Sequence, residues 1–202
     1  MFGIGLSRTG TLSLTRALQW LGFATEHFPD DDVSRAELTR FLEAPVDRLR
    51  LALLRNRDAL TDTPVSAAYR ALDRAYPGSR FILTTRDRRA WLSSCEVYWR
   101  EILRPLLQRM DVGESTYVNR VNRAVYGVED FDAVSFGDAY DSHVRGVCEY
   151  FAVRPDDLLE IDICAGEGWA RLCPFLDAGQ PDEDFPHVNA ASQRDEPKGT
   201  GP

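Results

Sequence analysis

Apolar positions along the chain fall into two kinds of run. Short β-branched or glycine-rich stretches alternate with longer ones in which leucine or an aromatic residue recurs every three or four positions. The short runs, bounded by turn residues, predict strands, and the longer period predicts helices. Residues 2–6 read as a first strand, and Leu12, Leu14, Leu18 and Leu21 as the stripe of a helix that Gly22 closes. A second strand is expected over 23–28. Asp31 and Asp32 stand where they cap a helix carrying Leu38, Phe41 and Leu42, and Pro45 opens another with Leu49, Leu53 and Leu54. Residues 59–62 form a brief strand ahead of Thr63-Pro64, and a helix runs from there until Pro77-Gly78 stops it. The clearest strand is 80–85, RFILTT, with Asp87 capping the long helix after it. Residues 111–135 show no dominant period. A helix over 136–151, a strand over 158–163 and a helix over 168–176 complete the pattern. Strands alternating with helices predict an α/β chain, a three-layer sandwich with a central parallel sheet flanked by helices.

At 202 residues, 44% of them hydrophobic, the chain is long enough for one domain with a real core. A single domain is expected over 1–188, with a polar, poorly ordered tail over 189–202. The net charge of −8 argues against a nucleic-acid partner, which wants a basic face, but leaves room for a local basic pocket. Cys95, Cys148, Cys164 and Cys173 form no CxxC pair and read as reduced core thiols of a cytoplasmic protein. Three histidines leave little material for a histidine metal site, and no metal is expected. No apolar run approaches the ~20 residues that span a membrane, and no basic stretch precedes the first apolar one as in a signal peptide.

The stretch FGIGLSRTGTLSLTRALQWLG, residues 2–22, carries the first chemistry. Strand, glycine-rich turn, helix is the way an anion site is built. Gly5 and Gly10 let the backbone curl, the first N–H groups of the helix point into the curl, and the helix dipole adds positive potential. Thr9, Thr11 and Ser13 add hydroxyls, and Arg8 a fixed charge. A nucleoside-triphosphate loop ends in G-K-[ST], its lysine on the phosphates and its hydroxyl on magnesium. Here Thr11 and Leu12 hold those places, and leucine does not ligand magnesium. The expected ligand is a phosphate-bearing nucleotide handled without a metal.

Arg86 leaves the end of the clearest strand, where ligands sit in open α/β sheets. Ser94 lies two helical turns further on, so a guanidinium and a hydroxyl converge on a second phosphate. Two phosphate sites without a magnesium ligand point to a nucleotide carrying phosphate at both ends of its ribose.

These motifs resemble those of sulfotransferases that use 3′-phosphoadenosine 5′-phosphosulfate (PAPS). Ser7-Arg8-Thr9-Gly10-Thr11-Leu12 is similar to that family's P-[KR]-[ST]-G-T-[TS] loop, with Ser7 in place of proline and Leu12 in place of a hydroxyl residue. Arg86 and Ser94 match its arginine at a strand end and serine eight residues on. LTTRDRRAW and GWARLCPFLDAGQPDEDFPHVN resemble the LTxRD…W and GWxxLCxFL…FPxxN segments of one branch, so the likeness runs over residues 2–190. The resemblance implies a P-loop NTPase-like sulfotransferase fold and transfer of a sulfuryl group from PAPS to a hydroxyl or amine of a small-molecule acceptor.

Residue by residue, the resemblance implies that Ser7 to Leu12 hold the 5′-phosphosulfate and that Arg86 and Ser94 hold the 3′-phosphate. Arg8 balances the charge of the departing phosphate, where many members carry lysine; an arginine offsets charge but hardly donates a proton. For the base that takes the acceptor proton, Asp62 in LTDTP comes first and His143 second, with His27 and His187 weaker. Asp62 also suits a helix N-cap before Thr63-Pro64. Trp169 reads as core or as a surface for adenine to stack on. Two other readings remain open on the sequence: a magnesium-dependent nucleotide kinase, disfavoured by the missing G-K-[ST], and a nucleotide-binding protein without catalysis.

Overall fold

The computed structural model describes residues 1–188. Five strands form one sheet: β1 (Phe2–Gly3), β2 (Thr25–His27), β3 (Ala59–Thr61), β4 (Phe81–Thr84) and β5 (Leu158–Ile161). Their order is β2-β3-β1-β4-β5 and every pair is parallel, with Phe2 level with both Leu60 and Phe81. All five carboxyl ends therefore lie on one edge of the sheet. The helices are α1 (Thr11–Trp20), α2 (Asp32–Glu43), α3 (Tyr69–Ala75), α4 (Arg88–Tyr98), α5 (Arg104–Leu107), α6 (Val112–Tyr126), α7 (Ala133–Phe151) and α8 (Trp169–Leu176). The expected α/β class and parallel sheet are present.

Strand alternation sorts the core into two faces. Phe2, Leu60, Phe81 and Leu83 pack with Leu38 and Phe41 of α2, Leu72 of α3, Val121 of α6 and Val147 and Phe151 of α7. Ala59, Ile82, Leu159 and Ile161 pack on the other face with Leu14 and Leu18 of α1 and Leu172 and Leu176 of α8. A third cluster, built on Trp91, Trp99, Tyr126, Phe136 and Tyr140, joins α4, α6 and α7.

Two local expectations fail. Pro45 opens no helix; residues 45–51 are irregular and lead into a short 3₁₀ turn, Ala52–Arg55. Leu49 and Leu51 are still buried, because Tyr76 Oη accepts the Leu51 N–H at 3.0 Å and Glu37 Oε2 that of Ala52 at 3.0 Å. Side chains thus meet the backbone needs that a helix would otherwise satisfy. In the stretch without a dominant period, Asp111 caps α6 through the Glu114 N–H. The caps at Asp31 and Asp87 form as expected. The cysteines are free, but only Cys95 and Cys173 are buried; Cys164 is exposed and is not a core thiol. The tail expected over 189–202 lies outside the described residues.

A partly buried ion cluster ties the far end of α7 to α3. Asp73 accepts from Tyr150 Oη at 2.7 Å and from both terminal nitrogens of Arg154 at 2.8 and 3.2 Å. Burial pushes the Asp73 carboxyl up, but the hydrogen bonds from Arg154 and Tyr150 outweigh it and hold the group below the usual carboxylate range. A depressed carboxylate adds stability above its unfolded value and loses it as pH falls through the folded one. Asp73→Asn is expected to cost about 2 kcal/mol at neutral pH, given charged hydrogen bonds of this kind. The difference from the parent protein in urea denaturation should shrink as the solution is acidified below the ordinary carboxylate range; a cost that does not change with pH would refute this account.

Candidate active site

β1 ends at Gly3, and the chain turns through residues 4–10 into α1. Two backbone features make the turn. Arg8 and Gly10 both take positive φ, 73° and 97°. Gly5 passes so close to β4 that a Cβ there would lie 1.9 Å from Thr84 Oγ1. Thr9 fastens the loop from inside: its hydroxyl donates to the Leu6 carbonyl at 2.6 Å and meets Thr84 Oγ1 at 2.6 Å. Its side chain is fully buried, so the expectation that it offers a hydroxyl to a phosphate is corrected. From outside, Trp91 Nε1 donates to the Ser7 carbonyl at 2.9 Å. Gly10 is the N-cap of α1 and no side chain caps the helix, so the N–H groups of its first turn lack a helical partner.

The loop opens on a cavity of about 780 Å³ at the carboxyl edge of the sheet. Ser7, Arg8, Gly10, Thr11 and Leu12 border it, as do Asp62, Arg86 and Ser94. Every site residue expected from the sequence except Thr9 and His143 therefore meets there. The two arginines touch: Arg86 Nη1 donates to the Arg8 backbone carbonyl at 3.2 Å, and Tyr140 fixes the Arg86 backbone by accepting its N–H at 3.0 Å. Ser94, expected beside Arg86, instead accepts from Arg8 Nε at 3.3 Å, while the Arg8 guanidinium lies 4.9 Å from the centre of the Tyr98 ring. Among the described residues neither Arg8 nor Arg86 enters an ion pair, although fourteen such pairs form between other residues. Two arginines outside any ion pair, beside an uncapped helix start, are the groups from which anion sites are built.

Across the loop stands a different chemistry. Asp62 follows β3 with φ of 73° and is buried. Its Oδ1 accepts from Ser7 Oγ at 2.7 Å and from the Thr63 N–H at 2.8 Å, and its Oδ2 lies 3.1 Å from His27 Nε2. The short helix after it has no side-chain cap, so Asp62 is not an N-cap. His27, at the end of β2, borders the cavity and also meets Thr11 Oγ1 at 3.3 Å. Burial chiefly, and the Asp62 charge with it, push the Tyr98 phenol up, while Arg8 opposes them.

His143 does not reach the cavity. Its Nε2–H donates to the Ile4 carbonyl at 2.7 Å, and the edge of Tyr69 packs on it. Burial chiefly lowers its pKa, so it serves as a neutral strut under the loop rather than as a base. Trp169 is core: it packs among the α8 residues, with Nε1 donating to the Glu183 carbonyl at 2.8 Å. The opposite wall comes from Ile163, Cys164, His187 and Val188, the last donating its N–H to Ser13 Oγ at 3.0 Å. Of this wall the sequence marked only His187, as a weaker candidate base. The one signal for His27 was its position at a strand's carboxyl end.

A sulfotransferase domain family matches the chain over residues 1–194. The chain belongs to the sulfotransferase family. This sulfotransferase is also 30% identical over 210 residues to Ava biosynthesis cluster protein M of Aspergillus versicolor, across 92% of the chain and 78% of that protein. Among the described residues, no helix of the sulfotransferase is long and apolar enough to cross a membrane.

Proposed function

We propose that this sulfotransferase takes its sulfuryl group from PAPS and delivers it to a hydroxyl or amine of a small-molecule acceptor, without a metal. The observation that carries the reading is the pair of guanidiniums, Arg8 and Arg86, both without carboxylate partners, at one cavity beside an uncapped helix. The residues fit a donor with charge at both ends of its ribose: the loop and the first turn of α1 suit a 5′-phosphosulfate, and Arg86 a 3′-phosphate. When bound, such a donor supplies an activated sulfuryl group. Arg8 offsets the charge that grows on the leaving phosphate. Thr11 and the first-turn N–H groups orient it, and Ser94 steadies the Arg8 side chain. The acceptor proton leaves on the Asp62–His27 side. Residues 1–188 act as one catalytic domain. The fungal relative is named for a biosynthesis cluster, which supports a small metabolite as acceptor.

Calorimetric titration with adenosine 3′,5′-bisphosphate tests the reading. Binding without magnesium and much weaker binding of ATP are expected. Arg86→Ala should lose about 10- to 100-fold in bisphosphate affinity, from ~1.5–3 kcal/mol per charged hydrogen bond, while affinity for adenosine 5′-phosphate stays the same. Magnesium-dependent ATP binding, or bisphosphate affinity indifferent to Arg86→Ala, would overturn it.

A further inference from the structure

Asp62 and His27 form a pair whose two members are very differently engaged. The Asp62 side chain is 8% exposed and His27 26%. Both carboxylate oxygens are occupied: Oδ1 by the Ser7 hydroxyl and the Thr63 N–H, Oδ2 by His27 Nε2. Nothing comparable restrains the other ring nitrogen, since among the described residues His27 Nδ1 has no hydrogen-bond partner. A carboxylate that accepts from one ring nitrogen keeps the proton there and leaves the other nitrogen with a free lone pair.

We infer that His27, through Nδ1, is the group that takes the acceptor's proton, and that Asp62 is a positioning residue that fixes the ring's orientation and tautomer. This rests on the sulfuryl-transfer reading above. As the acceptor oxygen forms its bond to sulfur, its proton passes to Nδ1. The bond from sulfur to the 5′-phosphate oxygen breaks, and its electron pair stays on that oxygen beside Arg8. Positive charge on the imidazolium is offset by Asp62, and the proton is then released to water. Ser7, which stands where the family pattern has proline, joins this pair to the donor loop: its hydroxyl holds the carboxylate while its carbonyl is held by Trp91. Thr11 Oγ1 lies 3.3 Å from the same ring nitrogen. Donor cradle and proton acceptor are thus one hydrogen-bonded unit.

The test reads the ring directly. Nitrogen-labelled histidine in the full chain gives three ring systems, and His27 is assigned by its loss in His27→Gln. A two-bond proton–nitrogen correlation spectrum at mildly alkaline pH is expected to show His27 protonated on Nε2 and bare on Nδ1. His27→Gln should bind adenosine 3′,5′-bisphosphate as the parent does but transfer labelled sulfate to phenol about 10²-fold more slowly, the scale of a lost general base. Imidazole in solution should restore part of the loss in His27→Ala. A ring protonated on Nδ1, or unchanged turnover in His27→Gln with a fall in Asp62→Asn, would overturn the inference while bisphosphate binding stood. Failure of the parent protein to bind the bisphosphate would instead overturn the reading on which it rests.

Discussion

Replacing Arg8 by Met is expected to slow sulfuryl transfer about 10³-fold, the scale seen when a group aimed at developing charge is removed. The fold should survive. Arg8 is only partly buried, sits on a loop that Thr9 and Trp91 hold independently, and contributes one hydrogen bond to Ser94 and one ring contact to Tyr98. Methionine keeps much of the stem that lies against Tyr98 and removes the charge. Transfer of labelled sulfate measured alongside thermal unfolding checks both halves. A conservative arm sharpens the result: Arg8→Lys keeps the charge as a single point and loses the planar fork, so it should retain more activity than Arg8→Met. Turnover in Arg8→Met equal to that of the parent would remove Arg8 from the chemistry.

Trp91→Ala is the largest expected loss of stability, about 3–5 kcal/mol for truncating a fully buried tryptophan. The ring is completely enclosed and lies 4.7 Å from Tyr140 and 6.1 Å from Phe136, centre to centre. Trp91→Phe separates packing from polarity. It keeps most of the aromatic filling but leaves the Ser7 carbonyl without its donor, at a cost of about 1–3 kcal/mol. Because that carbonyl belongs to the loop, the Phe variant should also bind the bisphosphate more weakly. Urea denaturation and calorimetry read the two effects, and a Trp91→Ala midpoint matching the parent protein's would refute the account.

What the sequence revealed, and what it hid, follows from how local each determinant is. The strand–loop–helix at residues 2–22 and the strand carrying Arg86 were readable because period, turn residues and motif all act within about twenty positions. The helix expected after Pro45 failed because the partners that satisfy Leu51 and Ala52, Tyr76 and Glu37, are distant in sequence. α6 was missed because its buried Tyr117, Val118, Val121 and Asn122 face two clusters at once and include a polar residue, which blurs a single stripe. At the site, residue types were readable but directions were not. Thr9 turned inward because Thr84 waits beneath it, and Ser94 went to Arg8 rather than Arg86 because a helix face is aimed by packing. His143 looked like a candidate base but supports Ile4 from below, whereas His27, ranked low, stands beside Asp62. Those pairings join residues 35 and 139 positions apart, beyond the reach of periodicity.

The strand order β2-β3-β1-β4 has a consequence for how this enzyme can diverge. Neighbouring strands are about 4.8 Å apart, and each carries one group at its tip: the His27 imidazole, the Asp62 carboxylate, the glycine-rich loop and the Arg86 guanidinium. On the reading proposed above, the sheet acts as a ruler that sets the groups for proton transfer apart from those for anion binding by fixed steps. Reshaping the connections beyond the strand tips leaves every mark on that ruler in place. A different order of these groups would need a change of topology, which point substitutions do not reach.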